Sequence, residues 1–168
     1  MKKLILIRHA KTESPSFASQ DFERKLKKRG WSDAKLIAEY LLDKGCKPEK
    51  IITSPAVRAY QTSTVFCDVN NYAEKDMSKL PILYDGDTTQ DMLDAISSVA
   101  GDSKTVMVIG HNPDMAILAM RLTGQRIEKF PTTGTVVINF DVDNWSQMEV
   151  GKGYLELFVY PSMLKSKK

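Results

Sequence analysis

Residues 4–12 read LILIRHAKT, and the reading of this stretch decides the fold. Four aliphatic residues, Leu4 to Ile7, follow one another without a polar interruption. That marks a strand buried on both faces rather than one alternating between core and water. The run ends in Arg8 and His9, where a strand ordinarily ends in turn residues. A permanent cation and an imidazole, groups able to hold and attack an anion, therefore stand at the carboxyl end of a buried strand.

The pattern recurs along the chain. Lys50-Ile-Ile-Thr53 reads as a second short strand and Thr105-Val-Met-Val-Ile109 as another continuous apolar one, with Pro81-Ile-Leu-Tyr84 as a candidate between them. Helical spacing of Ala34, Ile37, Ala38 and Leu41, closed by Gly45, predicts a helix after the polar loop at 10–24. Ser54-Pro55 is expected to open a second helix, with Pro at its favoured first position. A third is expected over Thr89–Ala100, with Met92, Ile96 and Val99 on one face, and a fourth from Pro113 to about Leu122. Alternating strands and helices with continuous apolar strands predict a mostly parallel sheet carrying helices on both faces. After Gly124 the alternation stops. Thr135–Phe140 and Tyr154–Val159 read as strands joined without a clear helix, so a C-terminal hairpin should close one edge. The expected architecture is thus a three-layer α/β sandwich forming one domain over residues 1–168.

Composition narrows the function classes. A net charge of +3 over 168 residues is too small and too dispersed to argue for nucleic acid. The Lys and Arg residues crowded into 24–29 around Leu26, and the lysines that close the chain, read as solvated surface. The opening apolar run is far too short for a signal-peptide core or a spanning helix, and no later run is long enough, so no membrane association and a cytoplasmic location are expected. Cys46 and Cys67 are far apart and in no CxxC pattern, which suits free thiols in a reducing compartment.

In an open parallel sheet, ligands bind beyond the carboxyl ends of the strands. His9 and His111 are the only histidines in the chain, and both fall at expected strand ends. Arg8 lies in the same zone, as does Arg58, within TSPAVRAYQT at 53–62; VIGHNP at 108–113 carries His111. The grouping suits phosphate. Arginine offers a planar fork that matches phosphoryl oxygens, and expected helix starts add backbone donors. A neutral imidazole can attack phosphorus to form a phosphohistidine. Two arginines and a second histidine, in its protonated form, can hold the charge that develops on the oxygens. Such a site needs neither metal nor cofactor.

These residues resemble the histidine phosphatase superfamily, the phosphoglycerate mutase-like fold, over roughly residues 3–140. The likeness rests on RH at the end of the first strand, SPAVRAYQT and GHNP, in that order. DFERKLKKRGWSDAKLIAEYL at 21–41 matches through Leu26, Gly30 and Ala34, and FPTTGTVVINF at 130–140 points to the SixA-type branch of phosphohistidine phosphatases. The resemblance implies His9 as nucleophile, with Arg8, Arg58 and His111 binding the phosphate. It also implies a phosphorylated protein histidine as substrate, such as a histidine-containing phosphotransfer domain. A small phosphate ester is the alternative within the superfamily. The common RHGET reads RHAKT here, with Lys11 either adding charge at the rim or simply solvated. Lys27 stands where a threonine is common, weakening a helix cap.

Many relatives place an acidic proton donor shortly after the third strand. Here that region reads LYDGDTTQD, so Asp85 is the nearest candidate, with Asp87 next; both could equally be turn residues beside Gly86. A poor acid matters less for phosphohistidine, because the imidazole leaving group has a conjugate acid near 6.5, whereas an ester releases a basic alkoxide. Only 48 residues separate His9 from Arg58 and 52 separate Arg58 from His111, leaving little chain for a lid. An open site is therefore expected. A non-catalytic phosphoprotein-binding module would need the cationic pocket but not His9. A zinc hydrolase would place its cation against two arginines.

Overall fold

The computed structural model describes residues 1–15 and 20–165. Part of the polar loop expected at 10–24, and Lys167 and Lys168 at the end of the chain, lie outside the described residues. Six strands form one sheet: β1 (Lys2–Arg8), β2 (Lys50–Thr53), β3 (Ser78–Lys79), β4 (Thr105–Gly110), β5 (Thr135–Phe140) and β6 (Tyr154–Val159), in the order β3-β2-β4-β1-β5-β6. The first four run parallel, and β5 lies antiparallel to both β1 and β6. This is the expected α/β sheet with a hairpin at one edge.

The helices are α1 (Lys28–Asp43), α2 (Val57–Asn70), the single turn α3 (Ile82–Asp85), α4 (Thr89–Ala100), α5 (Asp114–Thr123) and α6 (Pro161–Lys165). Their two layers follow from the pleat of the strands. Leu4 and Leu6 of β1, Val106 and Val108 of β4, and Val136 and Ile138 of β5 pack with Met92 and Ile96 of α4 and Leu118 and Leu122 of α5. The alternate residues Ile5, Ile7, Met107, Ile109 and Val137 pack with Ile37 and Leu41 of α1 and Phe66 of α2. Leu4 to Ile7 are wholly buried, each contributing about 1.5–3 kcal/mol by its removal from water. Among the described residues no helix is long and apolar enough to cross a membrane.

Two expectations need correction. The third strand is Ser78–Lys79, not Pro81–Tyr84. Pro81 instead caps the turn of α3, in which Leu83 is buried and Ile82 packs partly buried against the same core. Helix α2 begins at Val57 rather than at Pro55, since Ser54 turns its hydroxyl to the Ala56 N–H at 3.2 Å. Lys165 is exposed, as expected, and is also anchored. Its ammonium pairs with Asp33 at 2.5 Å, a carboxylate only 3% exposed on α1, and ties α6 to that helix. Lys27 does stand at the N-cap of α1 without a capping side-chain bond, as expected.

The sheet order sets the site. From β1 the chain crosses to β2 on one side, and from β4 it crosses to β5 on the other, so the crevice at which connections diverge lies between adjacent β1 and β4. Arg8 pairs with Gly110 across that boundary, which brings the residues after each strand together.

Candidate active site

His9 is the first residue beyond β1. Its N–H continues the ladder to the Gly110 carbonyl at 2.9 Å, so it cannot drift from the residue after Gly110, His111. The two imidazole centroids lie 5.3 Å apart. His9 Nδ1 lies 2.8 Å from the Ala10 carbonyl. A carbonyl only accepts, so the proton sits on Nδ1 and the lone pair on Nε2. The Ala10 peptide is itself held, its N–H donating to Thr62 Oγ1 at 3.0 Å while the Thr62 hydroxyl donates to the Arg58 carbonyl at 2.8 Å. One helical turn of α2 thus fixes both the nucleophile candidate and the start of the Arg58 side chain.

His111 Nε2 meets the Ser54 hydroxyl at 2.7 Å, leaving Nδ1 buried and without a partner among the described residues. Arg8 donates through one Nη to the Phe130 carbonyl at 3.0 Å, a carbonyl that also accepts from Asn112 Nδ2 at 2.9 Å. Arg58 donates to the Asp21 carbonyl at 2.7 Å and to its carboxylate at 3.1 Å. The Nε atoms of both arginines are, like His111 Nδ1, buried and unpartnered among the described residues. Unmet buried polar atoms are costly, and two arginine donors and one imidazole nitrogen around two histidines form a ready receptor for an oxyanion. Thr133 adds a fourth orphan: its N–H donates to the Arg8 and His9 carbonyls at 3.0 and 3.1 Å, while its buried hydroxyl has no partner among the described residues.

Electrostatics sets the protonation of the free pocket. Burial, followed by the neighbouring His111, Arg58 and Arg8, pushes His9 down to about 3, against the opposing pull of the Ala10 carbonyl. Burial and Arg58, aided by Arg24 and Arg8 and opposed by Asp21, push His111 down to about 4. Both imidazoles are therefore neutral at pH 7. For His9 that is the reactive form. For His111 it means that the protonated form expected during transfer is not the resting one, because a histidine among arginines does not take up a proton until an anion joins them.

The structure brings Arg8, His9, Arg58 and His111 together, as the sequence predicts. It leaves Asp85 exposed at the end of α3 beside Gly86, and no described hydrogen bond of either histidine involves it. The sequence reading missed the rim. Asp21 accepts from Arg58, from the Tyr84 hydroxyl at 2.8 Å and from Arg24 Nε at 3.1 Å. Tyr84 stands edge-on to His111, at 5.6 Å between centroids, and Phe22 edge-on to Tyr84 at 5.1 Å. The one available signal was an acid three residues before Arg24, a spacing shared by many solvated turns.

Among the described residues no cluster of three His, Cys, Asp or Glu side chains is placed to hold a metal ion. A broad surface depression elsewhere, lined by Asp141, Ser146, Lys152 and Tyr154, carries neither arginine nor histidine.

This cluster at the β1–β4 crevice is suited to binding an oxyanion such as phosphate. Residues 4–82 match the profile of the histidine phosphatase superfamily (branch 1). An uncharacterized protein of Mycobacterium tuberculosis is 30% identical over 92% of this chain and 99% of its own. A provisionally assigned phosphohistidine phosphatase SixA from Agrobacterium tumefaciens superposes with TM-score 0.80 at 25% identity, covering 95% of this chain and 98% of that one. The protein histidine phosphatase SixA complexed with tungstate superposes at 0.81 with 23% identity, over 96% and 99%. A mycobacterial glucosyl-3-phosphoglycerate phosphatase is more distant, at 0.65 and 14% over 96% and 99%. The chain belongs to the histidine phosphatase superfamily and is a phosphatase.

Proposed function

We propose that the chain, acting as one domain over residues 1–168, removes the phosphoryl group from phosphohistidine on a protein through a phospho-His9 intermediate. His9 Nε2 attacks phosphorus in line with the leaving group. Arg8, Arg58 and His111 hold the oxygens that gather charge, and water then releases phosphate from His9. The dianion that binds between the arginines raises the affinity of His111 for a proton, so His111 becomes a cationic donor only with substrate in place. The observation that carries this reading is the trio of buried, unpartnered nitrogens, Arg8 Nε, Arg58 Nε and His111 Nδ1, beside a histidine whose tautomer leaves Nε2 free.

Two observations favour phosphohistidine over an ester. No carboxylate reaches either histidine in the described hydrogen bonds, so an alkoxide would leave with little help. Asp85 is the donor this reading offers to an ester. The short segments between motifs leave a mouth open to a side chain on a folded partner, and forfeit the enclosure that gives a small-molecule site its affinity. Cys46 and Cys67, both free and buried, fit a cytoplasmic partner.

The test compares kcat/KM on a phosphohistidine peptide, a phosphorylated histidine-containing phosphotransfer domain, p-nitrophenyl phosphate and sugar phosphates. The phosphorylated protein should rank first. Acid-labile label trapped on the chain should vanish in His9→Ala, and Asp85→Asn should slow ester hydrolysis more than phosphohistidine hydrolysis. A sugar phosphate turned over with a low KM, alongside inertness to phosphohistidine, would favour the phosphomonoesterase reading, the class to which the more distant neighbour belongs.

A further inference from the structure

Breaking the P–N bond of a phosphohistidine poses a proton problem. If the ring is otherwise unprotonated, the departing electron pair makes an imidazolate, a very poor leaving group. If the far ring nitrogen carries a proton, the same step releases a neutral imidazole whose conjugate acid titrates near 6.5. A site that favours this substrate gains by stabilising the protonated ring, and an anion beside the far nitrogen does that.

The rim supplies such an anion. Arg58 keeps Nε for the pocket while both of its Nη atoms are taken by Asp21. Arg58 thus stands between the Asp21 carboxylate and the proposed phosphate position, and the Asp21 side chain is 56% exposed. Tyr84 and Arg58 donate to Oδ2, whereas among the described residues Oδ1 receives the Arg24 Nε–H alone, which leaves it accepting capacity. Burial alone would raise the carboxyl's pKa. The Tyr84 hydroxyl, Arg58 and Arg24 outweigh it and hold the group below its ordinary range, ionised at any working pH. Tyr84, with Phe22 edge-on behind it, gives the mouth a flat aromatic wall beside His111.

Building on the phosphohistidine reading, we propose that Asp21 is a specificity-determining residue, its carboxylate holding the far nitrogen of the substrate imidazole protonated while the phosphoryl group passes to His9. The balance is simple. The bond from His9 Nε2 to phosphorus forms as the P–N bond of the substrate breaks. The electron pair of that bond returns to the substrate ring, and the proton already on the far nitrogen leaves with the neutral imidazole. The charged and titratable groups around Asp21 are Arg24 on its own segment, Arg58 from α2, Tyr84 with Asp85 beside it from α3, and His111 after β4.

Asp21→Asn separates this role from simple orientation of Arg58. The rate kcat is measured against pH on a phosphohistidine peptide and on p-nitrophenyl phosphate, whose leaving group has no far nitrogen. Wild-type turnover of phosphohistidine should fall on the alkaline side as the bound ring loses its proton. In Asp21→Asn that limb should move down by about one pH unit, with about a tenfold greater loss at pH 8 on phosphohistidine than on the ester. Asp21→Glu should recover part of the difference. Equal losses on both substrates with an unmoved limb would overturn the proposal and leave the phosphohistidine reading intact. A wild-type enzyme inert to phosphohistidine would overturn both.

Discussion

At the scale of single residues, the two histidines have no company elsewhere in the chain, which makes their protonation directly readable. With His9 pushed down to about 3 and His111 to about 4, no imidazole resonance should move between pH 5 and 8 in a proton NMR titration of the free enzyme. Saturating vanadate should then bring His111, and not His9, into that window. A histidine titrating near 6.5 in the free protein would mean that the pocket is far wetter than its 7% and 8% exposures indicate. The four residues that line the pocket were legible in the sequence because each lies just beyond an apolar strand or in the turn that follows one. The protonation state of His111 was not, since it depends on how deeply the fold buries the ring among Arg58, Arg24 and Arg8. Asp21 and Arg24 were hidden for a related reason. A charge run reads as solvent-facing until tertiary structure shows Arg58 reaching across to it.

At the scale of elements, the loop that carries His9 is pressed onto the start of α1. A Cβ on Gly30 would lie 2.2 Å from the Lys11 carbonyl oxygen, an oxygen that accepts the Lys27 N–H at 2.9 Å. Alanine is the better helix former by about 1 kcal/mol, yet here the obstacle is backbone and cannot swing away. Gly30→Ala should therefore lower Tm and also lower kcat/KM, because Lys11 adjoins the Ala10 carbonyl that orients His9. Gly45→Ala is the contrast. That glycine ends α1 at φ 77° with open space around it, so the strain should cost about 1–2 kcal/mol and leave kcat/KM alone. Thermal melts and steady-state rates on both variants check the pair. Strands β2, β5 and β6 were readable residue by residue, since short runs rich in β-branched and aromatic residues and bounded by turn residues have few other uses. Strand β3 was not, because two polar edge residues carry no pattern. The neighbouring Ile82-Leu83-Tyr84 imitated a strand while serving as the turn that aims Tyr84 at the pocket.

For the whole molecule, keeping two histidines neutral links function to stability. The unfolded chain protonates its imidazoles near 6.5, whereas the folded pocket resists until about 4 at His111 and about 3 at His9. Between those limits the unfolded state binds more protons, so stability is complete above 6.5 and falls as pH drops. The lowered carboxyl of Asp21 adds a loss of the same sign at more acidic pH, while the raised carboxyl of Asp114, half-buried at the start of α5, works in the opposite direction. Each unprotonated histidine costs about 1.4 kcal/mol for every pH unit below 6.5. From pH 7.5 to 5.5 the two together cost at most about 3 kcal/mol, or roughly 6–12 °C in Tm for a chain of this size. The double variant His9→Asn, His111→Asn should lose most of that slope, whatever its absolute Tm, because the asparagine side chains do not titrate. Phosphate or vanadate should flatten the wild-type slope as well, by stabilising the folded state and letting His111 take its proton there. An unchanged slope in the double variant would assign the acid sensitivity to carboxylates elsewhere and remove the link between the pocket and the stability of the fold.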